Sequence, residues 1–501
     1  MLLGIDLGTS SVKALLMTAA GTVLGEASSG YPVRSPLPSW AESDPQDWWA
    51  AVAIAVRAAV AEHRHSVTAI GLSGQMHGVV LCDAVGTALY PAILWADARS
   101  TGLLERYQTL EQSWRDRLGN PITTGMAGVS LLWMQQHQPD ISQTARWALQ
   151  PKDWLRLRLT GVAATEPSDA SGTLMYDVAG DRWFTQLLHH LDLRTDWLPD
   201  SIPSSQVAGY LTPSAAAHLD LPTGIPVVAG AADTAAALLG NGLLQPGIVQ
   251  LTIGTGAPLA TIRDRPSSNP HGNTHLFRTA LPQQWYALAA MQNAGLALEW
   301  VRQILGMTWA DLYDATSVAP GCGGLTFLPY LTGDRTPHLD PQPLGAWVGL
   351  GLYHTRAHLA RSALEGVAFS IRQGLDALMA TGINVTELQL AGGGSLNPDW
   401  RQLLADVLQV PLHSTERVAA SARGAALLAG LGTRLYVDAA SMVNPRSASP
   451  MADQTTCPRA CPLDLQTAWE RFCALYSPLQ QISHPHVPAH IPAHIPAHAP
   501  N

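Results

Sequence analysis

Leu2-Leu3-Gly4-Ile5-Asp6-Leu7, Gly8-Thr9-Ser10-Ser11 and Val12-Lys13-Ala14-Leu15-Leu16-Met17 form the stretch on which the reading of this chain turns. Two apolar runs of strand length flank a turn of small residues, and Ala20-Gly21-Thr22 leads into a third run, Val23 to Ala27. This pattern predicts a β-meander. Ala50 to Glu62 has the composition of a helix, and Ser66 to Ser73 returns to a short apolar strand that delivers Gln75-Met76-His77-Gly78 at its C-terminal end. In α/β folds such strand ends carry binding and catalytic groups.

A second meander begins at Ile248 to Ile253, runs into Gly254-Thr255-Gly256 and continues as Pro258 to Ile262. Strand, Gly-Thr turn and strand thus occur twice, the trace left by two copies of one α/β unit facing each other across a cleft. A chain of 501 residues is too long for one core; two domains of about 200 to 250 residues are expected. The boundary is placed near Leu244 to Gly247.

Hydrophobic residues make up 47% and charged residues 13%, which excludes a disordered chain. The formal net charge of −9 argues against a polyanionic partner such as nucleic acid. Small anions can still bind, because backbone N–H groups in turns supply local positive potential. Cys82, Cys322, Cys457, Cys461 and Cys473 suggest no disulfide framework. The start has no basic n-region and carries Asp6 inside its first apolar run, and Trp48 to Val60 contains Arg57 and is too short to span a bilayer. The expectation is a soluble cytoplasmic protein. From Ser483 the chain becomes a Pro-Ala-His-Ile repeat, read as a disordered or polyproline-like tail.

In Gly8-Thr9-Ser10-Ser11 the side chains are small, so backbone N–H and hydroxyl groups can approach phosphate oxygens, with Lys13 adding charge; taken alone the motif reads as a common hairpin turn. No Gly-x-x-x-x-Gly-Lys-Ser/Thr occurs, which excludes a P-loop kinase. Gly392-Gly393-Gly394 after Leu388-Gln389-Leu390 lacks Rossmann spacing. Asp6 sits where a strand meets the phosphate turn, a costly place to bury an unpaired carboxylate unless Mg²⁺ offsets the charge. Asp233 follows the apolar strand Ile225 to Ala229, and a strand-end Asp is more often a helix N-cap, here for a helix over Thr234 to Leu239.

Gly4 to Lys13, Gln75 to Gly78 and Val228-Ala229-Gly230-Ala231-Ala232-Asp233 together resemble the FGGY carbohydrate-kinase family over roughly residues 1 to 440, and Met76-His77 resembles its xylulokinase branch. The resemblance implies an α/β fold of two actin-like (ribonuclease H-like) domains facing each other across an ATP/sugar cleft, residues 1–245 and 246–482, with 483–501 as the tail. It implies Asp233 as general base and sugar contact, Met76, His77, Trp95 and Asp97 as further sugar contacts, and Asp6 as the Mg²⁺ site. ATP would be held by Gly8, Thr9, Ser10, Ser11, Lys13, Gly254, Thr255, Gly256, Gly392, Gly393 and Asn397, although Asn397 also suits a plain strand-to-helix turn. Gly345 to Leu350 and Phe327 to Pro337 match further family segments read as scaffold, with Asp334 where Glu is usual. Ser130, Ala231, Ala232 and Thr234 depart from the family's usual Lys, glycines and Asn.

The expected reaction is ATP- and Mg²⁺-dependent phosphorylation of D-xylulose to D-xylulose 5-phosphate, and the resemblance makes a homodimer the expected assembly. A kinase of another ketopentose or polyol such as ribulose, and a nucleotide-gated actin-like regulator without sugar turnover, are the alternatives.

Overall fold

The computed structural model describes residues 1–267, 272–414, 419–442 and 454–483. Most of the expected Pro-Ala-His tail lies outside them. The opening meander forms as β1 (Leu2–Leu7), β2 (Ser11–Met17) and β3 (Val23–Gly30), all antiparallel. Asp44 caps α1 (Pro45–Val60), and Pro45 in the first turn sets its start ahead of the expected Ala50. A 3₁₀ turn over Ala61–Ser66 then delays the next strand, so β4 runs Ala69–Gly74. Every residue of β4 is buried and it pairs in parallel with β1, which explains its unbroken apolar reading. Strands β5 (Val207–Tyr210), β6 (Pro226–Val228) and β7 (Ala231–Ala232) complete the first sheet, in order β5-β6-β4-β1-β2-β3 with β7 beside β4.

The second sheet repeats the plan. Its strands β8 (Ile248–Thr252), β9 (Leu259–Arg263), β10 (His275–Arg278), β11 (Trp285–Ala289), β12 (Glu387–Ala391), β13 (Leu412–Ser414) and β14 (Gln454–Thr456) lie in the order β10-β11-β9-β8-β12-β13-β14. As in the first sheet, the leading strand of the meander pairs antiparallel with its successor and parallel with a later strand. Helices over Asp233–Gly240 (α2), Arg356–Met379 (α3), Pro398–Leu408 (α4) and Ala420–Gly432 (α5) pack on these sheets.

Helix α5 returns from the second half to lie on β1 and β4 of the first. Only glycine permits the approach. A Cβ on Gly4 would fall 1.8 Å from the Ala422 carbonyl oxygen, and one on Gly71 1.8 Å from that of Ala425. Gly240 of α2 and Gly424 of α5 meet opposing backbone oxygens at 2.0 and 1.9 Å in the same sense. No described helix is long and apolar enough to cross a membrane.

Gly71→Val should lower the unfolding free energy by about 1 to 3 kcal/mol, the cost of overpacking, as read from denaturant midpoints. Gly102→Ala, where nothing lies within 4 Å of the added carbon, should leave it within about 0.5 kcal/mol.

Candidate active site

Strand register builds the centre of the site. Asp6 of β1 lies opposite Ser73 of β4, and Ser73 lies opposite Ala231 of β7, so three neighbouring strands end abreast and Asp233 follows two residues later. The Ser73 hydroxyl donates to Asp6 Oδ1 at 3.0 Å. Burial raises the Asp6 carboxyl above its ordinary value, against the pull of Ser73 and of Lys13, its cross-strand partner. Burial, and then the neighbouring Asp6 charge, push Asp233 up to about 7. The backbone N–H and hydroxyl of Thr234 donate to Asp233 Oδ1 at 2.5 and 3.1 Å and moderate the rise. Asp233 is the first residue of α2 and Ala232 stands at the N-cap, so the capping role open to Asp233 by position is not the one it takes.

No cluster of three or more His, Cys, Asp or Glu side chains suited to a metal occurs among the described residues. Two desolvated carboxylates, Asp6 and Asp233, fit a Mg²⁺ that keeps waters and takes its remaining ligands from substrate phosphates, the usual habit of this ion.

The two Gly-Thr turns stand at equivalent strand ends. Gly8 N–H donates to the Ser11 carbonyl at 3.0 Å, and the Tyr31 hydroxyl donates to the Gly8 carbonyl. Ser10 and Lys13 are exposed. In the second turn Gly254 N–H donates to the Gly256 carbonyl at 2.9 Å, while Thr255 O accepts from Ala294 and Leu296 N–H. Gly392 follows β12, whose Ala391 pairs with Thr252, so both glycine segments sit side by side. Gly392 has φ +90°, and a Cβ there would lie 2.4 Å from the Ile253 carbonyl oxygen. Gly393 adjoins it, and Asn397 caps α4 by accepting from Trp400 N–H at 2.9 Å. The structure therefore gathers Gly254, Thr255, Gly256, Gly392, Gly393 and Asn397 at one end of the second sheet, and the capping reading of Asn397 holds for its carbonyl oxygen.

Around the acceptor side, Met76 is buried and its sulfur accepts from the Tyr286 hydroxyl at 3.5 Å. His77 takes φ +73°, and its Nδ1 lies 2.7 Å from the Gly172 carbonyl, which makes Nδ1 the protonated nitrogen. Burial lowers this imidazole to about 4, so it is neutral at physiological pH with Nε2 as acceptor. Phe277 and His275 of β10 stand 5.7 and 6.5 Å from the His77 ring. Trp95 Nε1 donates to Thr9 Oγ1 at 2.9 Å, joining its segment to the first Gly-Thr turn.

Asp97 departs from expectation. Its Oδ1 accepts from the Arg99 backbone N–H and Nε, both at 2.9 Å, and its Oδ2 from Ala41 N–H at 2.6 Å and Arg99 Nη2 at 2.7 Å. All four lone-pair directions are occupied, so Asp97 fastens the wall instead of presenting an acceptor to sugar. Arg99 also pairs with Glu42 at 2.8 Å.

Sequence reasoning missed the contribution of the second half to this pocket: His275, Phe277, Tyr286 and Arg335. Nothing local marks the first three, because strands β10 and β11 reach the pocket only through tertiary packing, whereas Arg335 lies in the segment Phe327 to Pro337 that was read as scaffold. It also missed a buried charge network behind Asp233. Lys152 lies 2.6 Å from Asp153 and 3.1 Å from Asp169, and Arg156 3.0 Å from Asp153. Ser168 Oγ accepts from Ala232 N–H at 2.9 Å and donates to Glu166, while Arg156 donates to the Ala229 carbonyl at 2.7 Å. This network fixes the backbone that ends in Asp233. Three charges within Lys152 to Arg156 of an otherwise apolar helical run were the available signal.

Comparison with known proteins follows the same lines. Residues 1–240 match the N-terminal domain, and residues 249–433 the C-terminal domain, of the FGGY family of carbohydrate kinases. The chain belongs to that family. It is 38% identical over 410 residues to the xylulose kinase of Escherichia coli (strain K12), covering 81% of this chain and 84% of that one. It is 33% identical over 456 residues to a glycerol kinase of Ralstonia nicotianae, covering 87% and 90%. The crystal structure of a xyloylose kinase from Brucella ovis superposes with a TM-score of 0.89 at 35% identity, covering 96% of this chain and 99% of that one. The protein is an ATP-dependent sugar kinase, and its fold is the two-domain actin-like fold of its structural relatives.

Asp97→Ala should lower unfolding stability by about 3 kcal/mol, because it removes the bidentate partner of the buried Arg99 and leaves it only Glu42; a sugar contact alone would raise KM and leave the denaturant midpoint in place. Asp233→Asn should be the more stable protein at pH 8. The raised folded pKa means that wild type loses stability as pH climbs from about 4 to about 7, so the gap between the two midpoints should shrink over that range as pH falls.

Proposed function

We propose that this chain transfers the terminal phosphoryl group of ATP to the 5-hydroxyl of D-xylulose, with Asp233 as general base. The observation that carries the reading is Asp233 itself, raised to about 7 beside Asp6 and next to a pocket wall built from neutral His77 and Met76. A base near the working pH can take the hydroxyl proton as the oxygen attacks, and a carboxylate at its ordinary value would be a poorer acceptor. Neutral His77 can accept from sugar hydroxyls through Nε2, and Met76 offers an apolar surface to the carbon chain. Trp95 is available to C–H faces, and the phosphate turns at Gly8 to Ser11 and Gly254 to Gly256 supply backbone donors to the nucleotide, with Gly392, Gly393 and Asn397 beside its adenosine. Mg²⁺ bound at Asp6 with the phosphates would neutralise charge on the leaving group.

The naming of the Escherichia coli and Brucella ovis relatives supports a ketopentose acceptor, and Met76-His77 supports D-xylulose among them. Ala231 and Ala232 are fully buried just before Asp233, so their methyl groups tighten the turn that aims the base and narrow the choice of acceptor. Five free cysteines and a need for ATP support a cytoplasmic setting.

ADP release by the purified protein with ATP and Mg²⁺ should be fastest with D-xylulose in a panel that includes D-ribulose, L-ribulose, glycerol and no sugar. Preference for another sugar moves the acceptor assignment, and equal rates without sugar support the nucleotide-gated regulator. Asp233→Ala should retain sugar binding and turn over at least about 100-fold more slowly.

A further inference from the structure

One cation of the cleft has no partner that the reading above explains. Arg335 belongs to Gly333-Asp334-Arg335-Thr336-Pro337, a segment of the second half that local pattern marks only as scaffold. The segment is firmly placed. Thr336 Oγ1 accepts from Ala290 N–H at 3.0 Å and donates to the Asn273 carbonyl at 2.9 Å, and Asn293 donates to the Gly333 carbonyl at 2.6 Å. From there Arg335 reaches the first half. Its guanidinium carbon lies 5.4 Å from the centre of the Trp95 ring, and Nη2 is 3.5 Å from the Trp95 carbonyl. Trp95 in turn is bonded to Thr9 of the phosphate turn, so the guanidinium stands where acceptor wall and phosphate turn meet.

No Asp or Glu among the described residues pairs with Arg335, and burial alone lowers its pKa, to about 10. It is therefore charged at neutral pH. The adjoining Asp334 is no counter-ion: its Oδ2 accepts from His338 N–H at 3.2 Å, and burial raises it to about 8. The nearest titratable rings, His77 and His275, are held neutral by burial and by the Arg335 charge itself. A desolvated cation without an anion is costly, and a ketose brings none. The anion has to arrive with phosphate.

We propose that Arg335 is a catalytic residue of the phosphoryl transfer, donating N–H bonds to the non-bridging oxygens of the phosphoryl group in transit and then to the phosphate ester of the product. This deepens the kinase reading and rests on it. In the step, the bond from the sugar oxygen to phosphorus forms and the bond from phosphorus to the bridging oxygen of ATP breaks. The electron pair leaves with ADP, the hydroxyl proton passes to Asp233, and Arg335 keeps all its protons. Charge-assisted bonds of this kind act where charge moves between donor and acceptor oxygens.

The test uses Arg335→Gln and Arg335→Lys in the full chain. Arg335→Gln should lower kcat by about 100-fold or more and hold KM for the sugar within about threefold, with partial recovery in Arg335→Lys. By calorimetry without nucleotide, the affinity of Arg335→Gln for the sugar phosphate made by wild type should fall by about tenfold or more, and its affinity for the free sugar should hold. A rise in KM for the neutral sugar with kcat intact would overturn the proposal, as would unchanged affinity for both sugar and sugar phosphate. Should Arg335→Gln not fold, the ratio of sugar phosphate to sugar affinity in Arg335→Lys decides: a reduced ratio supports the assignment and a wild-type ratio ends it. Wild type measured alongside keeps the two readings apart, since absence of sugar-dependent ADP release there defeats the kinase reading whatever Arg335 does.

Discussion

The close seating of helix Ala420–Gly432 on strands Leu2–Leu7 and Ala69–Gly74 is the contact on which the rest of the molecule depends. It is possible because Gly4 and Gly71 leave no side chain between helix backbone and sheet. The same helix packs on Asp233–Gly240 through Gly240 and Gly424. The strand that carries Asp6, the strand that carries Ser73 and the helix that begins at Asp233 are thus all held from behind by one element of the second half. Asp6 and Asp233 are therefore both placed by this one contact.

Electrostatics at the front of the site follow from that placement. Asp6 and Asp233 are both desolvated and lie close enough for the charge of one to raise the other. On the opposing wall His77 is held neutral, pinned by the Gly172 carbonyl and lowered by burial. Behind Asp233 the charges of Lys152, Asp153, Arg156, Glu166 and Asp169 are spent on each other and on the backbone at Ala229 and Ala232. The chain thus separates charges that hold the backbone from the carboxylates Asp6 and Asp233 at the strand ends. Asp97 falls in the first group although its surroundings in sequence suggested the second.

Much of this was legible in the sequence because the local signals are strong. Gly-Thr turns between apolar runs predicted both meanders, and the observed strands Leu2–Leu7 and Ile248–Thr252 lie where the pattern put them. Element ends were less legible: Pro45 starts its helix early through a cap at Asp44, and a 3₁₀ turn shortens the strand that follows. Motif position brought Asp6, Met76, His77 and Asp233 into one region. What pattern could not supply was long-range pairing. Whether Asp97 faces sugar or Arg99 depends on where Ala41 and Glu42 come to lie. Tyr286 meets Met76, and Arg335 meets Trp95, only once two sheets far apart in the chain are brought together.

The central claim is that a carboxyl held near neutrality at residue 233 takes the acceptor proton, and the pH dependence of kcat/KM for sugar tests it most directly. The account predicts that wild-type kcat/KM rises with pH through a limb near 7, and that this limb is absent from the residual activity of Asp233→Asn. A wild-type profile flat between about pH 5.5 and 8, or the same limb persisting in Asp233→Asn, would contradict it.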